Sequence, residues 1–199
     1  DLTNPRPVGN KISYRFRLYE LLNNEGIAFD FVGSEDAGNN FFQNDELDDN
    51  AGFPGITAAQ LADLIQTGYN ARTGLNVSEG PYLVQYPADI ILLHIGTNGF
   101  TTDPSDVEDL LDAIRYYDSD VIIIVARIIN RKIHHDPTTT FNNNLEAMVN
   151  ARADSKILIV NMETGAGIDY PSEMIDDLHP NQAGYDKMAV VWFEALMSL

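Results

Sequence analysis

Val121-Ile122-Ile123-Ile124-Val125-Ala126-Arg127-Ile128 is the most β-branched run in the chain, and it narrows the choice of fold more than any other stretch. β-branched side chains suit a pleated surface. An apolar run that does not alternate also needs cover on both of its faces. The stretch 89–95 has the same character, and shorter apolar runs at 28–32 and 157–160 bring the expected strands to four. Helical spacing fills the gaps between them. Ile12, Phe16, Tyr19 and Leu22 suit a helix over 13–24, capped by Ser13 and stopped at Gly26. Thr57 and Gln60 form a capping box for a helix through Ile65, with Leu61, Leu64 and Ile65 facing inward. Pro104 opens a helix whose inner face is Val107, Leu110, Leu111 and Ile114. Phe141, Leu145, Met148 and Val149 mark a helix over 141–153, and Met188, Val191, Trp192, Ala195 and Leu196 line a last one over 182–198. Strands alternating with helices predict an α/β chain: a three-layer α/β/α sandwich around a central parallel sheet, one domain over 1–199.

Composition removes several function classes. Lys and Arg total 12 against 30 Asp and Glu, a net charge of −18. Binding nucleic acid through its phosphates needs a basic surface, so nucleic acid is not an expected partner. No apolar run reaches the roughly 18–20 residues that cross a bilayer, so no membrane partner is expected either. The acidic balance suits a protein working in salt or outside the cell, and the chain opens on Asp1 as a mature or trimmed chain would. There is no cysteine, hence neither a disulfide nor a thiolate metal site. The acidic segment 34–50 carries Asp45, Glu46, Asp48 and Asp49, the oxygen-ligand chemistry of calcium, but their spacing matches no EF-hand and a solvated loop is the expectation.

In a parallel sheet, right-handed crossovers put the loops that follow the strands on one edge, where ligands bind. Three marked stretches are expected there. Gly96-Thr97-Asn98-Gly99 closes the run 89–95, Gly52-Phe53-Pro54-Gly55 is a tight turn opening a helix, and Asp176-Asp177-Leu178-His179-Pro180-Asn181 precedes the last helix. An imidazole acting as general base needs a carboxylate to hold its tautomer. Asp176, three residues before His179, is within reach of Nδ1, and Asn181 is a good N-cap for the helix after it. Other candidates are weaker. His134-His135-Asp136 sits in a polar loop before Pro137, and His94 inside an apolar run reads as a hydrogen-bonded core histidine. Gly165-Ala166-Gly167 lacks the strand-turn-helix context of a dinucleotide site. Asn76-Val77-Ser78 is a glycosylation sequon only in a source that glycosylates.

Taken together, these stretches resemble the SGNH hydrolases, the GDSL esterase and lipase superfamily, and within it the family 3-like carbohydrate esterases of acetylxylan-esterase type. That family carries four blocks, of which the glycine turn, the Gly-x-Asn and the Asp-x-x-His stand here in order as Gly52 to Gly55, Gly96-Thr97-Asn98 and Asp176-Asp177-Leu178-His179. Leu178-His179-Pro180-Asn181-Gln182-Ala183-Gly184-Tyr185, Ser13-Tyr14-Arg15 and Phe29-Asp30-Phe31-Val32-Gly33-Ser34 extend the likeness. The resemblance implies a flavodoxin-like fold, no cofactor or metal, and a small ester or acetylated carbohydrate as substrate. It implies His179 as base, Asp176 as its orienting acid, and Gly55 N–H with the Asn98 amide as an oxyanion hole. The fourth block, Gly-Asp-Ser, is absent from the sequence. Against the family pattern Leu2 and Thr3 take their expected slots, and Asp1 falls where the serine belongs. Either Asp1 replaces the serine, or Asp1 is the block's aspartate and a serine belongs directly after it, with the preceding strand also outside these residues. The first alternative implies a non-catalytic carbohydrate-binding domain on an esterase scaffold. The second implies a serine esterase for short acyl groups. Gly99 stands where the family often has aspartate, a mild departure.

Overall fold

A computed structural model of the chain describes residues 10–42 and 47–199, and the β-branched run forms the strand at the middle of its sheet. Within the chain order, α1 is Arg15–Asn24, α2 is Ala58–Thr67, β1 and β2 are Tyr69–Asn70 and Leu75–Asn76, and α3 is Tyr82–Gln85. There follow β3 (Ile90–Leu93), α4 (Ser105–Tyr117), β4 (Ile122–Arg127), α5 (Asp136–Arg152), β5 (Ile157–Asn161), α6 (Tyr170–Glu173) and α7 (Gln182–Leu196). The three-stranded sheet has the order β3-β4-β5, and β3 pairs with β4 in parallel from Ile90 opposite Ile122 to Leu93 opposite Val125. This is an α/β fold with a central parallel sheet. Ile123, Ile124 and Ala126 are fully buried and Val125 nearly so, as a strand covered on both faces requires.

The chain divides into two compact units, the first holding Asp1–Pro54, Ile129–His135 and Val160–Leu199, the second Gly55–Ile128 and Asp136–Ile159. In the second unit α2 packs on α4 and α5 on β4. The capping box expected at Thr57 is present: the Gln60 N–H donates to Thr57 Oγ1 at 3.2 Å and the Thr57 N–H to Gln60 Oε1 at 3.1 Å. Asn142 on α5, fully buried, continues the edge of β4. Its Oδ1 accepts from the Ile128 N–H and its Nδ2 donates to the Ile128 carbonyl, both at 2.8 Å. A side-chain amide here replaces the ladder partner that the strand's end lacks. Arg115 on α4 donates to Asp154 at 2.7 Å and to the Val121 carbonyl at 2.7 Å, fixing the entries of β4 and β5. Its hydrogen bond holds the Asp154 carboxyl below the ordinary range.

In the first unit α1 packs on α7, with the Tyr14 and Trp192 rings 6.0 Å apart. Arg15 is buried among carbonyls: it donates to Asp48 O at 2.9 Å, to Lys11 O at 3.0 Å and to Ala37 O, and lies over the Phe42 ring. Burial lowers its pKa, which the surrounding acceptors make tolerable. One cation thereby ties down the described parts of the acidic segment after residue 34, which are irregular as expected apart from a bridge between Glu35 and Asn50. Asp45 and Glu46 of the calcium candidates lie outside the described residues, and Asp48 is buried.

Several expectations are corrected. The run 28–32 is not a strand. Phe29 and Phe31 turn instead into an aromatic cluster with Tyr19 and Phe42, at centroid distances of 6.0 and 6.3 Å, which half-buries them without a ladder. α1 begins with Tyr14 in the N-cap position and no side-chain bond of its own, while Ser13, left-handed at φ 45°, accepts the Arg15 N–H on Oγ at 3.5 Å. The polar connection 68–87 holds the β1–β2 hairpin, with Tyr69 opposite Asn76, and the short α3. α5 begins at Asp136, five residues ahead of the expected 141, with Pro137 in its first turn where the missing N–H costs nothing. No helix among the described residues is long and apolar enough to cross a membrane.

Candidate active site

Three residues of chain suffice to pair the acid and the base. Asp176 Oδ1 accepts the backbone N–H groups of Leu178 and His179, both at 2.8 Å, which folds the loop into a tight turn. The turn swings the His179 ring back onto the same carboxylate, with Nδ1 at 2.9 Å from Oδ2 and 3.0 Å from Oδ1. The loop is clamped on both sides. Met174 bridges Pro180, the Ile175 N–H donates to the His179 carbonyl at 2.8 Å, and Asn181 caps α7 by accepting the Gly184 N–H at 3.2 Å. Partial burial acts to raise the Asp176 carboxyl, but the Leu178 N–H, the His179 ring and the His179 N–H outweigh it and hold the group below its ordinary value. An ionised carboxylate only accepts, so Nδ1 carries the proton in neutral His179 and Nε2 is left as the acceptor. That is the tautomer a general base needs.

In the second unit the Gly55 turn and the Gly-x-Asn turn meet. Asn98 Nδ2 donates to the Ile56 carbonyl at 3.2 Å, and the amide carries a second N–H. Gly99, at φ 62°, lies against Thr57, where an added Cβ would come within 2.8 Å of the Thr57 methyl. A side chain there would crowd Thr57 and sit on a left-handed backbone. Gly96 is required by packing as well: the Phe141 ring would stand 2.6 Å from a Cβ there. Gly55 has φ 73°, and the Arg72 guanidinium from the β1–β2 hairpin lies directly over it. Arg72 carries no motif and sits in a segment read as a polar connection, so only the hairpin's fold reveals it.

The remaining candidates are structural. His94, directly after β3, is half-buried by surface area, yet its ring sits among protein atoms and burial brings its pKa down to about 4. Asp136 belongs to the first turn of α5. Among the described residues no three His, Asp or Glu side chains converge as a metal centre would. Gly165 is needed where the chain passes close to Asn161, whose carbonyl would meet a Cβ at 2.4 Å. Asn76 is exposed on β2. The sequence stretches singled out at Asp1 to Thr3 lie outside the described residues.

The α/β fold with its central parallel sheet matches that of solved esterases. A family 3 carbohydrate esterase from Clostridium thermocellum superposes with a TM-score of 0.73 over 92% of this chain and 84% of its own, at 24% identity. An acetyl esterase mutant solved with an acetate ion superposes with a TM-score of 0.75 over 94% of this chain and 90% of its own, at 21% identity. In sequence the chain is 25% identical to a multidomain esterase of Ruminococcus flavefaciens over 218 residues, which covers 96% of this chain and 28% of that protein. The chain thus spans less than a third of the length of this relative. No protein-family model matches it.

Proposed function

We propose that the chain is the catalytic domain of a serine esterase that removes short acyl groups, acetyl foremost, from carbohydrate such as acetylated xylan. The observation that carries this reading is the His179–Asp176 pair, closed at 2.9 Å with the imidazole in the base-competent tautomer. The likeness to a carbohydrate esterase, an acetyl esterase and a multidomain esterase supports it. His179 Nε2 takes the proton of the nucleophilic serine, expected at or directly after Asp1, as its oxygen attacks the ester carbonyl. Asp176 steadies the imidazolium that forms. The Gly55 N–H and the Asn98 amide donate to the oxyanion of the tetrahedral intermediate. The proton then passes to the departing sugar hydroxyl, and water repeats the sequence on the acyl-serine. No cofactor enters these steps. The net charge of −18 suits uncharged substrates and a site of action outside the cell. Hydrolysis of p-nitrophenyl acetate and of acetylated xylo-oligosaccharides by the full-length protein is the direct test. Activity on both is expected, and its absence on both overturns the reading.

A further inference from the structure

The segment 129–135 carries none of the recognised motifs, yet it holds one of the most completely bonded polar side chains in the first unit. Asn130 is 3% exposed. Its Oδ1 accepts the Arg131 and His135 N–H groups, each at 2.8 Å, and its Nδ2 donates to Glu163 Oε1 at 2.8 Å. Its backbone N–H donates to the Tyr170 hydroxyl at 2.8 Å, and that hydroxyl donates to the Glu163 carbonyl at 2.6 Å. Glu163 is 2% exposed. A buried network with so many of its groups bonded is rigid, because every displacement leaves a desolvated polar atom without its partner.

The network reaches the Asp176 loop by two routes. Through the segment 129–135, the Lys132 N–H donates to the Asp177 carbonyl at 3.0 Å, Lys132 Nζ donates to the Met174 carbonyl at 3.3 Å, and Arg131 faces the Asp177 carboxylate at 3.6 Å. Through Tyr170, the first residue of α6, it fixes the short helix that ends one residue before Met174. Asp176 lies between the contacts made to Met174 and Asp177, so both routes clamp the carboxylate's own backbone. The Asp176–His179 turn is local and would close without this support. What the support sets is where the closed turn points.

From this geometry we propose that Asn130 is a positioning residue for the Asp176–His179 pair, acting with Glu163 and Tyr170 through the Lys132–Asp177 backbone bond. The proposal rests on the reading of His179 as the general base. It separates two effects that a purely structural asparagine would not. Loss of Asn130 displaces the base relative to the reacting oxygen, so it lowers kcat more than it changes KM. It also has nothing left to act on once the base itself is gone, so its effect vanishes in a His179→Ala background.

The test is a double-mutant cycle on the full-length protein, with kcat and KM for p-nitrophenyl acetate measured on folded enzyme. Asn130→Ala is expected to lower kcat by about 10- to 100-fold with KM nearly unchanged. His179→Ala lowers kcat further, and adding Asn130→Ala to it is expected to cost nothing more. Losses that multiply across the cycle, or a normal kcat in Asn130→Ala, overturn the proposal while leaving the esterase reading standing. Full activity in both Asp176→Asn and His179→Ala overturns the reading itself and the proposal with it. Should Asn130→Ala fail to fold, Tyr170→Phe removes a single hydroxyl from the same network, and the identical cycle is run with it.

Discussion

The Arg72 guanidinium lies against Gly55 so closely that a methyl group built on Gly55 would stand 2.3 Å from Arg72 Nε. Two costs therefore face Gly55→Ala: the contact with Arg72, and the left-handed backbone at φ 73°. The first is small, since the end of an exposed arginine side chain swings aside. The second stays with the backbone, at about 1–2 kcal/mol for a residue with a Cβ. Gly55→Ala is expected to lose about that much stability by denaturant titration, and Arg72→Ala is not expected to restore it. A full rescue by Arg72→Ala would place the cost in the contact.

Asp176→Asn keeps an oxygen for the Leu178 and His179 N–H groups, so the turn survives. Its amide, however, presents the wrong partner to Nδ1 or leaves the imidazolium unsupported. A loss of about 10³- to 10⁴-fold in kcat is expected with an unchanged circular dichroism spectrum. Because hydrogen bonds hold the Asp176 carboxyl below its ordinary value despite partial burial, the acid limb of the pH–rate profile is expected to follow imidazole protonation. An acid limb that persists in Asp176→Asn fits this; one that disappears does not.

Asn98→Ala removes a side-chain donor while leaving the Gly96 and Gly99 turns intact. Its expected cost is about 10²- to 10³-fold in kcat, with KM little changed. Equal loss in KM and none in kcat would make Asn98 a binding residue only.

His94 predicts how stability responds to acid. Burial lowers its folded pKa from 6.5 to about 4, so between these values the unfolded chain binds the extra proton. Stability from this group is complete above pH 6.5 and is lost as pH falls through that window. The loss is at most about 3 kcal/mol. The Asp154 carboxyl, held low by Arg115, acts in the same direction. Denaturant titrations of the protein and of His94→Gln at several pH values check this: the variant is expected to show the flatter profile across the window.

Asn142→Leu strands both the N–H and the carbonyl of Ile128 in a buried site. Each unsatisfied group costs about 1–3 kcal/mol. A loss of about 2–4 kcal/mol is expected in chemical denaturation, and a near-neutral result would mean the end of β4 finds other partners.

What the sequence made legible is what short-range rules govern. The β4 run, the Thr57–Gln60 box, the Asn181 cap and the Asp176–His179 spacing all act within one turn or one strand, and each stands as expected. The misses come from partners distant in sequence. A strand over 28–32 needs a neighbour to pair with, and among the described residues Phe29 and Phe31 find rings instead. The start of α5 was read from apolar spacing, which begins at Phe141, whereas proline in a first turn extends the helix back to Asp136. Asn130 bonds to groups 33 and 40 residues away, and polar residues in a loop give no period to read. Arg72 meets Gly55 only because the β1–β2 hairpin that carries it folds back over the turn.

The closure of Asp176 and His179 inside a single short turn has an evolutionary corollary. A contact made across so few residues carries almost no loop-closure entropy, so the pairing closes by itself and only its direction depends on distant segments. The proton-handling pair therefore travels as a cassette. Changes in loops that do not touch it leave the closure itself intact, whereas changes in 129–135 would alter where it points.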